Sequence, residues 1–232
     1  MKNIFFIIFS LLVNNAFAIL PYEGDYILSA DTKMGSFQMG KAVLKLEVNE
    51  DQFKFTTEAE TDVIWKALYD YSRSEESSGR IVDGQIINNY FSVLEKDRNK
   101  VQKNYEINIL TDENYAISSL GEKWEIKNGL LVDPLSVYLA LSNDMMNDPT
   151  KSEFVYQVID EDGVNFLKFK IAGPEIISIN KNDILTVQVY CEELQLTLNL
   201  SLNDNFQPVR IKKINGKTEF TLLLIEFKKS LL

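Results

Sequence analysis

The chain contains no histidine and a single cysteine in 232 residues. Without imidazole there is no Ser-His-Asp arrangement, no imidazole general base, and no His-ligated zinc or haem. One thiol makes neither an internal disulfide nor a thiolate metal cage. Cys191 continues the alternating apolar row of Val187 and Val189, which reads as a small buried hydrophobe. It also lies too far from the start of the chain to be a lipidation cysteine. Clusters of basic residues are missing too. There are 24 Lys and Arg against 34 Asp and Glu, a net charge of −10, and basic runs do not exceed a pair such as Lys212-Lys213. Nucleic-acid binding by counterion release therefore has no surface to use. Gly121 and Gly129 are too isolated to form a phosphate loop. The sequence implies no cofactor and no metal.

Long apolar runs are confined to one place, Ile4 to Val13. That run is too short for a permanent membrane span, which needs about 20 residues. Lys2 precedes it and Ala16-Phe17-Ala18 follows it, the charge, apolar stretch and small-x-small site of a signal peptide. A leader over residues 1–18 is expected, cut after Ala18, with the mature chain in the periplasm and no integral membrane segment in it. The remainder is long enough for one substantial core. A single antiparallel β domain over 19–232 is expected, with the polar stretch 143–152 as a surface connection where two sub-halves meet.

What is present is alternation. Ala42, Leu44, Leu46 and Val48 interleave with Lys41, Lys45 and Glu47. Phe53 and Phe55 interleave with Gln52 and Lys54, and Leu196, Leu198, Leu200 and Leu202 with Gln195, Thr197, Asn199 and Ser201. Period two is the signature of strands with one dry face. Asn49-Glu50-Asp51, Asp83-Gly84, Asp162-Gly163, Asn203-Asp204-Asn205 and Asn215-Gly216 punctuate the runs, and Asx-Gly pairs favour tight hairpin turns. The expected class is all-β and mainly antiparallel: one curved sheet, barrel or half-barrel of about a dozen strands. Two segments have helical spacing instead. Asp133-Pro134 opens a run to Met146 with Asp133 as cap and Pro134 in the first turn. Thr61 to Tyr69 places Ile64, Trp65, Leu68 and Tyr69 on one stripe. Both helices are expected to lie across the sheet or plug one end.

The segments Tyr22-Glu23-Gly24-Asp25-Tyr26, Gly35-Ser36-Phe37-Gln38-Met39-Gly40, Tyr71 to Gly84 (ending Arg80-Ile81-Val82-Asp83-Gly84) and Asp133-Pro134-Leu135-Ser136 resemble an exported bacterial β family, domain of unknown function 3108. The resemblance spans most of the mature chain. It implies a secreted or periplasmic antiparallel fold of Gram-negative bacteria, similar in general shape to the half-barrels that carry lipoproteins between membranes. It brings no catalytic residues.

Chemistry then rests on carboxylates and aromatics. Glu58 and Glu60 share one strand face and Glu192 and Glu193 are adjacent, but both pairs read as solvated faces. Asp160-Glu161-Asp162-Gly163 lacks the twelve-residue loop of a recognised calcium site and reads as a hairpin turn. The aromatic surplus suggests more. Trp65, Leu68, Tyr69, Leu135, Tyr138, Leu139 and Met145 form the candidate ligand-binding set, as aromatic and adaptable Met contacts suit a lipophilic molecule. The leading expectation is a non-catalytic periplasmic protein holding an apolar or amphiphilic ligand in a helix-lidded cavity. The alternatives are an envelope protein-interaction scaffold and a small outer-membrane barrel.

Overall fold

Alternating side chains give each strand one apolar face, and a sheet built from such strands must curl or stack to cover it. Here it curls. The computed structural model describes residues 19–66, 69–127 and 130–229; the expected leader with its cleavage point, and Leu68, lie outside them. The elements run β1 (Tyr22–Thr32), β2 (Gly35–Asn49), β3 (Gln52–Thr61), α1 (Val63–Lys66), β4 (Tyr71–Val82), β5 (Gln85–Asp97), β6 (Lys100–Leu110), β7 (Tyr115–Ser118), β8 (Lys123–Glu125) and β9 (Leu131–Val132). They continue with α2 (Ser136–Asn147), β10 (Glu153–Asp160), β11 (Gly163–Ile179), β12 (Asn182–Cys191), β13 (Leu196–Ser201), β14 (Pro208–Asn215) and β15 (Thr218–Lys229).

All fifteen strands form one sheet in the order β8-β7-β6-β5-β4-β3-β2-β1-β15-β14-β13-β12-β11-β10-β9. Every pairing is antiparallel except the short one between β9 and β10. The meander is thus sequential in both directions from β1, with the first and last strands hydrogen-bonded to each other. The expected dozen becomes fifteen because β7, β8 and β9 have only four, three and two residues, too few for alternation to register. The expected surface connection over 143–152 is shorter: residues 143–147 end α2 with Asn143 and Met145 buried, only 148–152 link the helix to β10, and the strands before and after belong to the same sheet.

The turns obey local chemistry. Asp83 and Gly84 both have positive φ, 52° and 72°, as a two-residue primed turn requires. Gly79 answers a different need. At the β4–β5 bulge a Cβ on it would stand 2.1 Å from the carbonyl oxygen of Ile87, so no other residue fits that approach. Tyr26, fully buried on β1, donates its hydroxyl to the carbonyl of Pro208 at 2.6 Å and ties the first strand to β14.

The concave face holds one continuous core drawn from both arms of the meander and α2. Tyr26, Leu44, Phe55, Phe91, Ile107, Phe169, Val189 and Leu198 all point into it. The outer face of β2–β4 instead carries rungs of charge, Lys41–Glu60, Lys45–Glu47 and Lys54–Glu76. A lipid-facing barrel shows the reverse, an apolar band outside. Among the described residues no helix is long and apolar enough to cross a membrane.

Helix α2 lies inside the curl. Val137, Leu139, Ala140, Leu141 and Met145 are buried, and so are Ser136, Ser142 and Asn143 on other sides of the same helix. A lid would keep one wet face; this helix has almost none. The other helix differs from expectation in the opposite sense. α1 has four described residues and buries none of them, with Val63 and Ile64 more than four-fifths exposed. It neither crosses nor plugs the sheet, because it follows β3 at the rim, beside an overhang of the β1–β2 hairpin. There the Asp62 N–H donates to the Met39 carbonyl and Trp65 meets Phe37 edge to face.

Candidate functional site

One strand breaks the rule that interior positions are apolar. On β4 the inward residues are Tyr71, Arg73, Glu75, Ser77 and Gly79, placed there by pairing with Phe55, Thr57 and Ala59 on one side and Phe91, Val93 and Glu95 on the other. A polar strand in the middle of a greasy wall has to find its partners inside, and it does so in two groups.

The deeper group holds α2. Asp133 is fully buried. Its Oδ1 accepts the backbone N–H groups of Leu135 and Ser136 at 2.7 and 2.8 Å, so it caps the helix. Its Oδ2 accepts the hydroxyls of Ser77 at 2.6 Å and Ser136 at 2.9 Å, and the Asn88 amide. In return the Asp133 N–H donates to Ser136 Oγ at 2.9 Å, completing a capping box. Two of the five donors come from β4 and β5, so one carboxylate both starts the helix and fastens it to the sheet. Burial pushes its pKa up from 3.8 to about 6, and the hydrogen bonds from Ser77, Ser136 and Leu135 pull the other way.

The shallower group faces the end of the barrel near α1. Arg73 is clamped between Glu75, at 2.7 Å, and Glu95, and Thr57 donates to Glu75 at 3.0 Å. Beside it Lys103 of β6 pairs with Glu161 in the β10–β11 turn. That contact crosses the seam between the two arms of the meander, where the sheet has no ladder. Burial works against the charge on Arg73, but Glu75 and its hydrogen bond prevail and raise the pKa. Tyr71 is pushed up to about 12 by burial and then by Glu95. Tyr105 and Tyr138 shift the same way, by burial first and then by the carboxylates around them. Each charged group of this cluster has a charged counterpart: Arg73 has Glu75 and Glu95, and Lys103 has Glu161.

The sequence-derived set does not converge on one place. Leu139 and Met145 are buried in the core on α2 and Leu135 just before it, with Tyr138 on the same helix. Trp65 and Tyr69 stand at the rim, Trp65 on Phe37 and Tyr69 stacked on Tyr71 at 5.8 Å. Between α2 and the residues before β1, lined by Ile19, Leu20, Tyr22, Tyr138, Leu139 and Met146, remains a gap of about 20 Å³. That is room for a water molecule, not an acyl chain. A larger concavity, about 370 Å³, is an open trough on the outside of β2–β5. Two rungs form it, Lys41, Glu60, Ser72 and Lys96, and Val43, Glu58, Ser74 and Leu94. Cys191 is buried, and burial lifts its thiol pKa to about 11. The turn Asp160 to Gly163 is closed by Asp160 accepting the Asp162 N–H.

In class, then, this is an antiparallel β-barrel-like protein whose sheet is wrapped around one of its own helices. No family model matches the sequence and no curated protein matches it, so the resemblance to domain of unknown function 3108 stands without support. A solved structure is similar: a beta-barrel-like protein of domain of unknown function DUF1849 from Brucella abortus. Its TM-score is 0.55 at 13% identity, over 90% of this chain and 97% of that one. At that identity the likeness is one of fold. A putative outer membrane lipoprotein-sorting protein domain from Vibrio parahaemolyticus covers 91% of this chain and 86% of its own at 10% identity. Its TM-score of 0.30 carries no argument.

Proposed function

We propose that this chain is a non-catalytic protein of the bacterial envelope, exported by its leader, that binds a protein partner on the outside of its sheet. The observation behind this reading is the position of α2. The helix takes the space that a lipophilic cargo would need, and Asp133 fixes it there with donors from two strands. A carrier would have to expel a helix with eight buried residues for every cargo molecule. The outer trough over β2–β5 is far roomier than the gap beside α2, and its mixed rungs of Lys, Glu, Ser, Val and Leu suit an extended peptide segment. The non-catalytic part rests on the clusters described above, whose charged groups satisfy one another.

The test is purification from the native envelope, followed by native mass spectrometry and lipid extraction. A stoichiometric protein partner without bound lipid is expected, and Ser74→Arg should release that partner by filling the trough. One acyl lipid per chain, retained through purification, would overturn the proposal and restore the carrier.

A further inference from the structure

Charged side chains on the outer face of β2–β5 are mostly matched within the chain. Lys41 and Lys66 both reach Glu60 at 3.2 Å, Lys45 reaches Glu47 at 2.6 Å and Lys54 reaches Glu76 at 2.9 Å. Two that line the trough are not matched. Among the described residues neither Glu58 nor Lys96 has an ion pair. Arg80 has none either, but it stands at the far end of β4 and outside the trough.

Glu58 and Lys96 stand on opposite walls. Glu58 projects from β3 level with Ser74, and Lys96 from β5 level with Ser72. Strand β4 lies between them as the floor, where its outward residues are those two serines. Two strand spacings, about 10 Å, separate the walls, and one two-residue step, about 7 Å, separates the two charges along the floor. Leu94 continues the wall of Lys96, and Val43 stands behind Glu58.

This arrangement discriminates among occupants. A polyanion that met Lys96 would be set against Glu58, and like charges side by side are costly. A neutral glycan would cover both charges and give neither a counterion. A segment carrying both signs satisfies both walls, and an extended peptide does so with ordinary residues. Its side chains alternate in direction, so residues one or three positions apart face opposite walls, about 3 or 10 Å apart along the chain. Those two steps bracket the offset between the charges.

We infer that the trough takes an extended peptide segment in which a Lys or Arg meets Glu58 and an Asp or Glu, one or three positions away, meets Lys96. The inference rests on the partner-binding reading above and names the chemistry of the partner's docking segment. The serine hydroxyls of the floor then face the backbone of that segment.

Panning a phage-displayed library of random dodecapeptides over the exported, purified chain near physiological salt tests it, with the Ser74→Arg chain used to discard peptides bound elsewhere. Enriched peptides should carry the basic and acidic pair at that spacing. E58K and K96E should each weaken binding of a synthetic enriched peptide at least tenfold, with unchanged melting. Replacing the peptide's basic residue by Glu should restore its binding to E58K. Enriched peptides of one sign only, wild-type affinity in E58K and K96E, or no peptide sensitive to Ser74→Arg would each overturn the inference. So would a glycan, in place of a protein, that leaves the natively purified chain on Ser74→Arg substitution. The partner-binding reading itself fails by a different observation, lipid retained through native purification, on which the panning does not depend.

Discussion

The two ends of this barrel are capped by different means. At the end where β4 turns into β5, α2 closes the interior, with Asn143 donating to the Gly84 carbonyl at 2.6 Å and Ser142 to the Phe206 carbonyl at 2.9 Å. At the α1 end the interior narrows to ion pairs, Arg73 with Glu75 and Glu95, and Lys103 with Glu161, while apolar side chains stand outside. The same sheet is thus dry inside and polar outside at one end, and closer to the reverse at the other. Burial of apolar surface holds a fold together, so stability should reside in the α2 side and middle of the barrel. The α1 rim is left free to make contacts.

That division can be broken by measurement. The largest effects belong to the interior. Leu141→Ala removes a fully buried side chain from α2 and should cost about 3 kcal/mol, seen as a fall in melting temperature of roughly 6–12 °C. A helix acting as a loose lid would lose far less. Gly79→Ala should cost a comparable amount, about 3 kcal/mol, because its Cβ meets backbone that cannot move aside.

Asp133 makes the next prediction, and its sign is unusual for a carboxylate. Its folded pKa of about 6 lies above the unfolded 3.8, so the folded state binds the proton more tightly. This contribution is complete below about pH 4 and is lost as pH rises through 6, by about 3 kcal/mol in all. Urea midpoints measured from pH 4 to 7 should decline over that window in the wild-type chain relative to Asp133→Asn. Parallel curves would remove Asp133 as the titrating group.

Smaller effects test the α1 end. Lys103→Gln breaks the seam contact, but both partners are part-exposed, so a loss of about 1 kcal/mol or less is expected. A larger one would mean that the seam, not the core, closes the barrel. Ile64→Ser should leave the urea midpoint within about 0.5 kcal/mol of wild type, since that side chain is 85% exposed. A clear loss would show that the rim is structural.

Some of this was readable from residue order. The leucines of β13 announced a strand with one buried face, Asp83-Gly84 its hairpin, and Asp133-Pro134 the start of a helix. Other parts were visible but misread. Thr61 to Tyr69 has helical spacing, yet α1 exposes it, since spacing records which residues share a side and not whether anything lies opposite. The inward face of β4, Tyr71-x-Arg73-x-Glu75-x-Ser77, is polar between apolar strands. That contrast with its neighbours was the one local sign of an interior polar cluster.

The linear chain by itself determined the class: period-two patterning and turn chemistry act over a few residues, so they dictate strands, hairpins and an antiparallel meander. It also excluded imidazole and thiolate chemistry through composition. Only the tertiary structure decided that the sheet curls far enough to bring Lys103 to Glu161, that α2 becomes part of its core, and that Met34, Val63 and Ile64 stand exposed at one end. Those outcomes depend on accumulated twist and on contacts between residues far apart in sequence, which no short window contains.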